Sequence, residues 1–472
     1  MLYVNICVCV IIFAIWSYIL VKTYQLDGYF VQVFLNHVFE FKLAFGDKNK
    51  LVFTKRMIRF WIFYLILAAA LFFLVNFFVD NIFLKILDAA IIFLFAPLLI
   101  VLSHYCLLPI EKLIKKYYVH KARKKLAKLN IIKIGITGSF GKTSTKDFLA
   151  AMLEKEYKVC TTPKNYNTEM GVTKAILKNL DDHDVFIAEM GAKHKGDIET
   201  LAKLVKPKYG IITTIGSQHI ETFGTLANIE ETKNELPENI SKDGTMVFNG
   251  DSPISYRLYQ KFQGNKYLTN HKNAFAYADN ICMNEHGSTF DLVLDGKTLK
   301  ASTRLLGKCN IDNIVTASTL AHILGITDED IIAAIKSLSP PPHRLEILKN
   351  NYATIIDDSY NSNIVGSREA LEVLSKFSGI KIVVTPGLVE MGSEQSDANF
   401  KLGGLIADVA DYIIIMNEVN KNYLLSGAIS HNFDRNKIYF ASTRKKQKEI
   451  LQTLTMKGCV ILFENDLPDN YK

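Results

Sequence analysis

The stretch Ile134–Asp147, IGITGSFGKTSTKD, constrains the fold of this chain more than any other. An apolar run (Ile131, Ile132, Ile134, Ile136) enters a turn holding Gly138 and Gly141, and Lys142-Thr143-Ser144 then opens a helix. Strand, glycine turn and helix N-terminus in that order make a phosphate cradle. The glycines let backbone N–H groups approach phosphate oxygens, the helix start favours negative charge, the lysine reaches terminal phosphates, and the hydroxyl can ligate Mg²⁺. The strict P-loop has glycine five residues before Gly141, where this chain has Ile136, so the fit is to the shorter T-G-x-x-G-K-[ST] form. Gly138, Ser139, Gly141, Lys142, Thr143 and Ser144 are the expected phosphate-loop residues, and a nucleoside triphosphate is the expected ligand.

Three runs, Leu2–Val21, Phe60–Val79 and Ala89–Ile110, carry no Asp, Glu, Lys or Arg. Each reaches the roughly 20 residues that cross a bilayer, so three transmembrane helices are expected within residues 1–110. Seven Lys or Arg lie between Lys22 and Arg59, against only Lys85 between Asp80 and Asp88. The positive-inside rule then gives a multi-pass protein of the cytoplasmic membrane with everything after Ile110 in the cytoplasm. Residues 111–130 carry eight Lys or Arg around a helical apolar stripe that includes Tyr117, Ala122 and Leu126. Such a helix can lie on anionic headgroups or pack its stripe against protein. Its position explains the basic charge, no aromatic-rich RNA-binding signature appears, and no nucleic-acid partner is expected. The seven cysteines are scattered without a CxxC pair, so neither a disulfide framework nor a zinc ribbon is supported.

From Ile131 onward, strand-like runs ("VFIAEMG", "YGIITTIG", "TMVFNGD") alternate with helical patterns, the rhythm of a parallel sheet covered by helices. A β insertion follows, with Asp295-Gly296 as a hairpin turn. The Pro340-Pro341-Pro342 linker precedes a second series, "TIIDDSY", "KIVVTPG", "YIIIM", "KIYFA" and "CVILFEN". The expected class is therefore α/β: a P-loop ATPase-type domain over 131–339 and a Rossmann-like domain over 340–472, after the membrane region.

Glu189 ends a strand as a Walker-B-like carboxylate would, able to hold Mg²⁺. His219 follows another strand. On spacing alone, His219 is equally a structural histidine, and Lys233 reads first as an exposed helical lysine paired with Glu230.

The ordered motifs "ITGSFGKTS", "TTPKNYNTEMGV", "AEMGAKHKGDI", "TTIGSQHIETFG", "ETKNEL", "LLGKCNIDNI", "PPPHRLE", "DDSYNSN" and "GLVEMG" resemble the Mur ligase family from Ile131 nearly to the end. The resemblance implies an ATP-dependent ligase that activates a carboxylate as an acyl phosphate and joins it to an amine, acting on a cell-envelope precursor. It implies two Mg²⁺ ions and a carbamylated lysine. Lys142 and Thr143 would grip phosphate and one ion, with Glu189 completing that metal site. His219 and the carbamate on Lys233 would serve the second ion. Asn165, Asn167 and Thr168, with Tyr360 and Asn361, would face the substrates. Asn313 would lie on the adenine side, Arg344 would reach the nucleotide, and Asp358 would bind ribose. The implied partners are a small amino acid or dipeptide, a lipid- or nucleotide-linked envelope precursor, and the membrane. The chain departs from the family pattern at Cys309, where histidine is common, and at its ending "LFENDLPDNYK". A transport NTPase and an idle envelope scaffold are the competing classes. The first needs polar groups within the apolar runs, and the second should have lost Lys142, Glu189 or His219.

Overall fold

The computed structural model describes residues 2–44, 50–77, 82–163, 166–216, 220–271, 274–349, 353–360, 363–389, 391–456 and 458–466. The chain divides into two compact units, Met1–Tyr118 with Pro468–Lys472, and Val119–Leu467.

The first unit is helical: Leu2–Leu26, Val31–Phe39, Lys55–Phe77 and the first part of Ile82–Lys128. Leu20, Val21, Tyr24, Phe34, Met57, Phe60, Tyr64 and Ile100 form its core. Ser17 and Tyr64 hydroxyls hydrogen-bond at 2.8 Å, and Arg59 pairs with Glu111 at 2.7 Å. Among the described residues, two helices are long and apolar enough to cross a membrane, Lys55–Leu74 and Phe93–Lys128. The first run forms the helix Leu2–Leu26, whose described side chains give the apolar stretch Ile11–Leu26. This corrects the expectation of three transmembrane helices, and with it the multi-pass placement in the cytoplasmic membrane. Absence of charge over some twenty residues is a property of composition, and a helix that packs against other helices produces it as readily. Ser17, Leu20, Val21 and Tyr24 are one such packed face.

The basic segment continues the helix Ile82–Lys128. Its Val119, Ala122 and Leu126 are buried in the same apolar cluster as Ile176, Leu180 and Phe186, and Lys125 pairs with Asp181 at 2.9 Å. From Val119 onward the stripe therefore packs on protein, whereas Tyr117 is exposed.

The second unit holds two sheets. The larger has nine strands. In spatial order they are Val159–Thr161, Val185–Glu189, Ile132–Thr137, Tyr209–Ile212, Thr245–Asn249, Asn265–Thr269, Ala276–Asn284, Gly287–Leu294 and Lys297–Thr303. Strands up to Ala276–Asn284 pair in parallel, and the last three form an antiparallel extension. Asp295 and Gly296 both have positive φ, 49° and 74°, as the expected two-residue hairpin turn demands. Alternation sorts the parallel strands onto two cores. Ile134, Ile136, Val185 and Ile187 face the helices Lys142–Leu153 and Lys308–Ile323, while Phe186, Ala188, Met246 and Phe248 face Glu169–Asn179 and Asp197–Val205.

The smaller sheet runs Glu346–Lys349, Ala353–Asp358, Cys459–Glu464, Lys381–Thr385, Tyr412–Met416, Ile438–Ala441, parallel except for the first edge strand. The last strand inserts between the first two parallel ones, an order that differs from the 3-2-1-4-5-6 dinucleotide arrangement. What matters for function is register. Ile136 pairs with Glu189 and Thr137 with Ile212, so the phosphate loop, Glu189 and the Thr213-Thr214 segment leave the sheet at one edge.

Candidate active site

The loop after Thr137 is held from below. Ser139 and Phe140 N–H groups donate to the Thr214 carbonyl at 2.9 and 3.1 Å, Thr213 Oγ1 donates to the Phe140 carbonyl at 2.6 Å, and Ser139 Oγ donates to Gly216 O at 3.0 Å. Gly138 has φ +153°, and a Cβ there would lie 1.9 Å from Thr213 Oγ1. Gly141 caps the helix Lys142–Leu153 with φ +79°, where a Cβ would lie 2.3 Å from Asn313 Oδ1. Asn313 also accepts from Thr145 Oγ1 at 3.1 Å, so the helix Lys308–Ile323 braces the loop where the sequence expects the adenine side. The first helical N–H groups, beginning at Lys142, lack intrahelical acceptors and are the donors an anion would meet.

Lys142 Nζ curls back to the Gly138 and Ser139 carbonyls at 2.9 and 2.7 Å. Burial lowers its pKa to about 8, against the raising effect of Glu189, while the Arg344 charge adds to the lowering. Thr143 Oγ1 donates to Glu189 Oε2 at 2.9 Å, and Asn167 Nδ2 donates to Glu189 Oε1 at 3.0 Å. A hydroxyl and a carboxylate converging at this distance are hard oxygen donors of the kind Mg²⁺ takes. The residues present fit a divalent ion at this corner. Ser144 is buried in the same first turn. Thr168 spends its hydroxyl on capping the helix Glu169–Asn179, accepting from Gly171 N–H at 3.3 Å.

Lys233 is not the exposed lysine that spacing allowed. It lies buried on the helix Leu226–Glu238, and Glu230 pairs instead with Arg257 at 2.6 Å and Lys261 at 2.9 Å. Burial first, then the Lys142 charge, lowers the Lys233 pKa from 10.5 to about 7, while Glu235 and Asp197 pull the other way. Because the folded pKa lies below the unfolded one, the unfolded chain binds more protons between these pH values, and stability rises with pH across that window. Urea unfolding should therefore show wild type gaining stability relative to Lys233→Met between pH 7 and pH 9. Parallel profiles would contradict the buried amine.

The linker brings in the smaller sheet. His343 Nδ1 bonds to Asp357 Oδ2 at 2.7 Å and the His343 backbone N–H donates to Glu346 Oε2 at 3.1 Å, while the Asp357 carboxylate raises the imidazole pKa. Arg344 lies over the Tyr360 ring, 4.4 Å from its centroid, and its charge is felt by Lys142. Asp358 accepts the Leu345 N–H at 3.1 Å, and burial raises its pKa. At Cys309 the backbone N–H at the start of the helix Lys308–Ile323 donates to Glu369 Oε2 at 3.0 Å, and burial raises the pKa of that carboxyl.

The structure thus gathers Gly138, Ser139, Gly141, Lys142, Thr143, Asn167, Glu189 and Asn313 around one loop, with Lys233 and Arg344 within electrostatic reach of Lys142. Asn165, His219 and Asn361 lie outside the described residues. Sequence reasoning missed Lys146 and Thr162. Lys146 Nζ reaches Thr162 O at 3.0 Å and Glu189 Oε2 at 3.4 Å, and Thr162 Oγ1 accepts the Glu189 N–H at 3.1 Å. The missed signal was Lys142 and Lys146 at i, i+4, a like-charge helical pair that is unfavourable without an anion between.

Residues 136–321 match the Mur ligase middle domain. The UDP-N-acetylmuramoyl-tripeptide–D-alanyl-D-alanine ligase of Bacillus subtilis (strain 168) is 28% identical over 347 residues, covering 73% of this chain and 75% of its own length. The MurF ligase of Thermotoga maritima, solved in complex with ADP, superposes with a TM-score of 0.68 at 25% identity, covering 75% of this chain and 80% of that one. A MurF structure from Acinetobacter baumannii gives the same TM-score, 0.68, at 23% identity, a likeness of fold. The motif order, the loop geometry and these relatives agree. Residues 136–321 thus form a Mur ligase middle domain, and over about three quarters of its length the chain is similar to Mur ligases, ATP-dependent enzymes that join an acid to an amino compound through a new C–N bond.

Proposed function

We propose that this chain extends a peptidoglycan precursor, joining an amino acid or a dipeptide such as D-alanyl-D-alanine to the carboxylate of a nucleotide-linked muramoyl peptide by way of an acyl phosphate. Residues 131–339 would bind ATP and the acceptor, and residues 340–472 would close over them. The observation that carries the reading is the convergence of Lys142, Thr143, Asn167 and Glu189 at the glycine loop.

In this reading the first-turn N–H groups and Lys142 hold the triphosphate and take up negative charge as the γ-phosphoryl group moves to the acceptor carboxylate. Thr143 and Glu189 would hold Mg²⁺, which neutralises charge between the two anions. Asn167 fixes the Glu189 carboxylate. ADP leaves, the amine attacks the acyl carbon, phosphate departs, and the amine nitrogen gives up a proton. Arg344 and Asp358 would reach the nucleotide from the smaller sheet, whose closure would exclude the water that hydrolyses an acyl phosphate.

Lys233 has an amine that is substantially uncharged near neutral pH, which is what reaction with CO₂ to a carbamate requires. The carbamate would offer two more oxygens for a metal ion, beside His219.

Purified protein given ATP, Mg²⁺, amino acids and dipeptides, and envelope precursors should yield a new amide by mass, with ADP and phosphate in equal amount. Phosphate release independent of any amine would favour a transport NTPase instead, and none at all would favour a scaffold. Lys233→Ala should lose activity and regain part of it with short-chain carboxylates; an active alanine variant would remove Lys233 from the site.

A further inference from the structure

Glu189 is 1% exposed, and a carboxylate that deep needs a compensating charge. Its Oε1 accepts from Asn167, and its Oε2 accepts from Thr143 at 2.9 Å and from Lys146 Nζ at 3.4 Å. Lys146 is itself 1% exposed. Its partners also include the Thr162 carbonyl at 3.0 Å and Asp147 Oδ1 at 3.6 Å. One ammonium thus ties the loop helix to the ends of two strands, Val159–Thr161 and Val185–Glu189. It stands three residues after Thr143, on the same helical face.

We infer that Lys146 is the built-in counter-ion of the divalent-ion corner, a positioning residue that keeps Glu189 aimed at Thr143 and keeps free divalent ions out until a nucleotide brings them. This rests on the reading of Glu189 as a metal-holding residue. In a site shielded from salt, a divalent ion beside Glu189 meets the Lys146 charge at one flank and the Lys142 charge at the loop. Triphosphate oxygens supply the negative charge that offsets both. The ion is then expected to enter with its nucleotide rather than ahead of it, so that the phosphate loop is not occupied by a stray cation.

Lys146→Met keeps the length of the stem and deletes the charge. Nucleotide-free wild type should show the same thermal midpoint with and without millimolar Mn²⁺. Lys146→Met should melt lower, by something on the order of 5 °C, and should be raised by Mn²⁺ alone, because an uncompensated Glu189 recruits the ion. Lys146→Met/Glu189→Gln should recover most of the lost midpoint and lose the Mn²⁺ response. A Lys146→Met protein indifferent to Mn²⁺, or a double variant no more stable than the single one, would overturn the inference. If Lys146→Met does not fold, recovery of a folded double variant is the expected result, and failure of both counts against it. Binding of Mn·ADP by Glu189→Gln, followed by electron paramagnetic resonance, tests the underlying reading separately. Wild-type affinity there would remove the metal role of Glu189, and with it the need for a counter-ion.

Discussion

Lys142→Ala is expected to lower amide formation by roughly 10³-fold or more while leaving the fold intact. The side chain rests on the Gly138 and Ser139 carbonyls, so its hydrogen bonds are local to the loop. Its charge, however, lies where phosphate negative charge would grow during transfer, in a half-buried setting that water screens less than the open surface. The loss should fall on kcat more than on KM for the acceptor, because the interaction strengthens in the transition state. Product by mass and ADP release by a coupled assay measure it, with circular dichroism as the control for folding. Turnover within tenfold of wild type would contradict the role given to Lys142.

Gly138→Ala is expected to damage both stability and nucleotide binding. A Cβ at this position would stand 1.9 Å from Thr213 Oγ1, with φ at +153°. Thr213 cannot simply step aside, because its hydroxyl donates to the Phe140 carbonyl at 2.6 Å and holds the loop. Overpacking of this kind costs about 1–3 kcal/mol, and the strained backbone adds to it. Urea unfolding should report the loss, and ADP affinity should fall by at least tenfold as the loop N–H groups shift. Thr213→Ala in the same chain should return part of the stability, since it removes the clashing oxygen. Strict additivity of the two substitutions would place the damage elsewhere.

Much of this site is readable from sequence because its parts are local. Gly138, Gly141, Lys142 and Thr143 lie within six consecutive residues, and the chemistry of a helix start dictates their types. Glu189 is legible for a similar reason, as the polar end of a buried strand. Most strand runs were visible as apolar blocks; the short edge strands Val159–Thr161 and Glu346–Lys349 were not, nor were the interior strands Asn265–Thr269 and Ala276–Asn284, whose polar residues break up the apolar run. Lys146 was hidden because its anion lies 43 residues away in the chain. Lys233 was ambiguous because a helix pattern does not say which lysine faces inward; only the packing of the helix Leu226–Glu238 settles it. The membrane expectation failed for the converse reason. A charge-free run reports what a helix lacks and is silent on what it touches, whether lipid or the rings and hydroxyls of its neighbours.

The nine-stranded sheet has two rims, and each is blunted. At one, Val159–Thr161 is three residues long. At the other, Lys297 and Lys300 stand on the outermost strand, tied to Asp328 at 2.9 Å and Asp291 at 2.7 Å. A second copy seeking to add its own strand would find either too brief a template or an edge bearing charged, ion-paired lysines. The slab that carries the catalytic loop is thereby guarded against polymerising edge to edge, even when the protein is abundant.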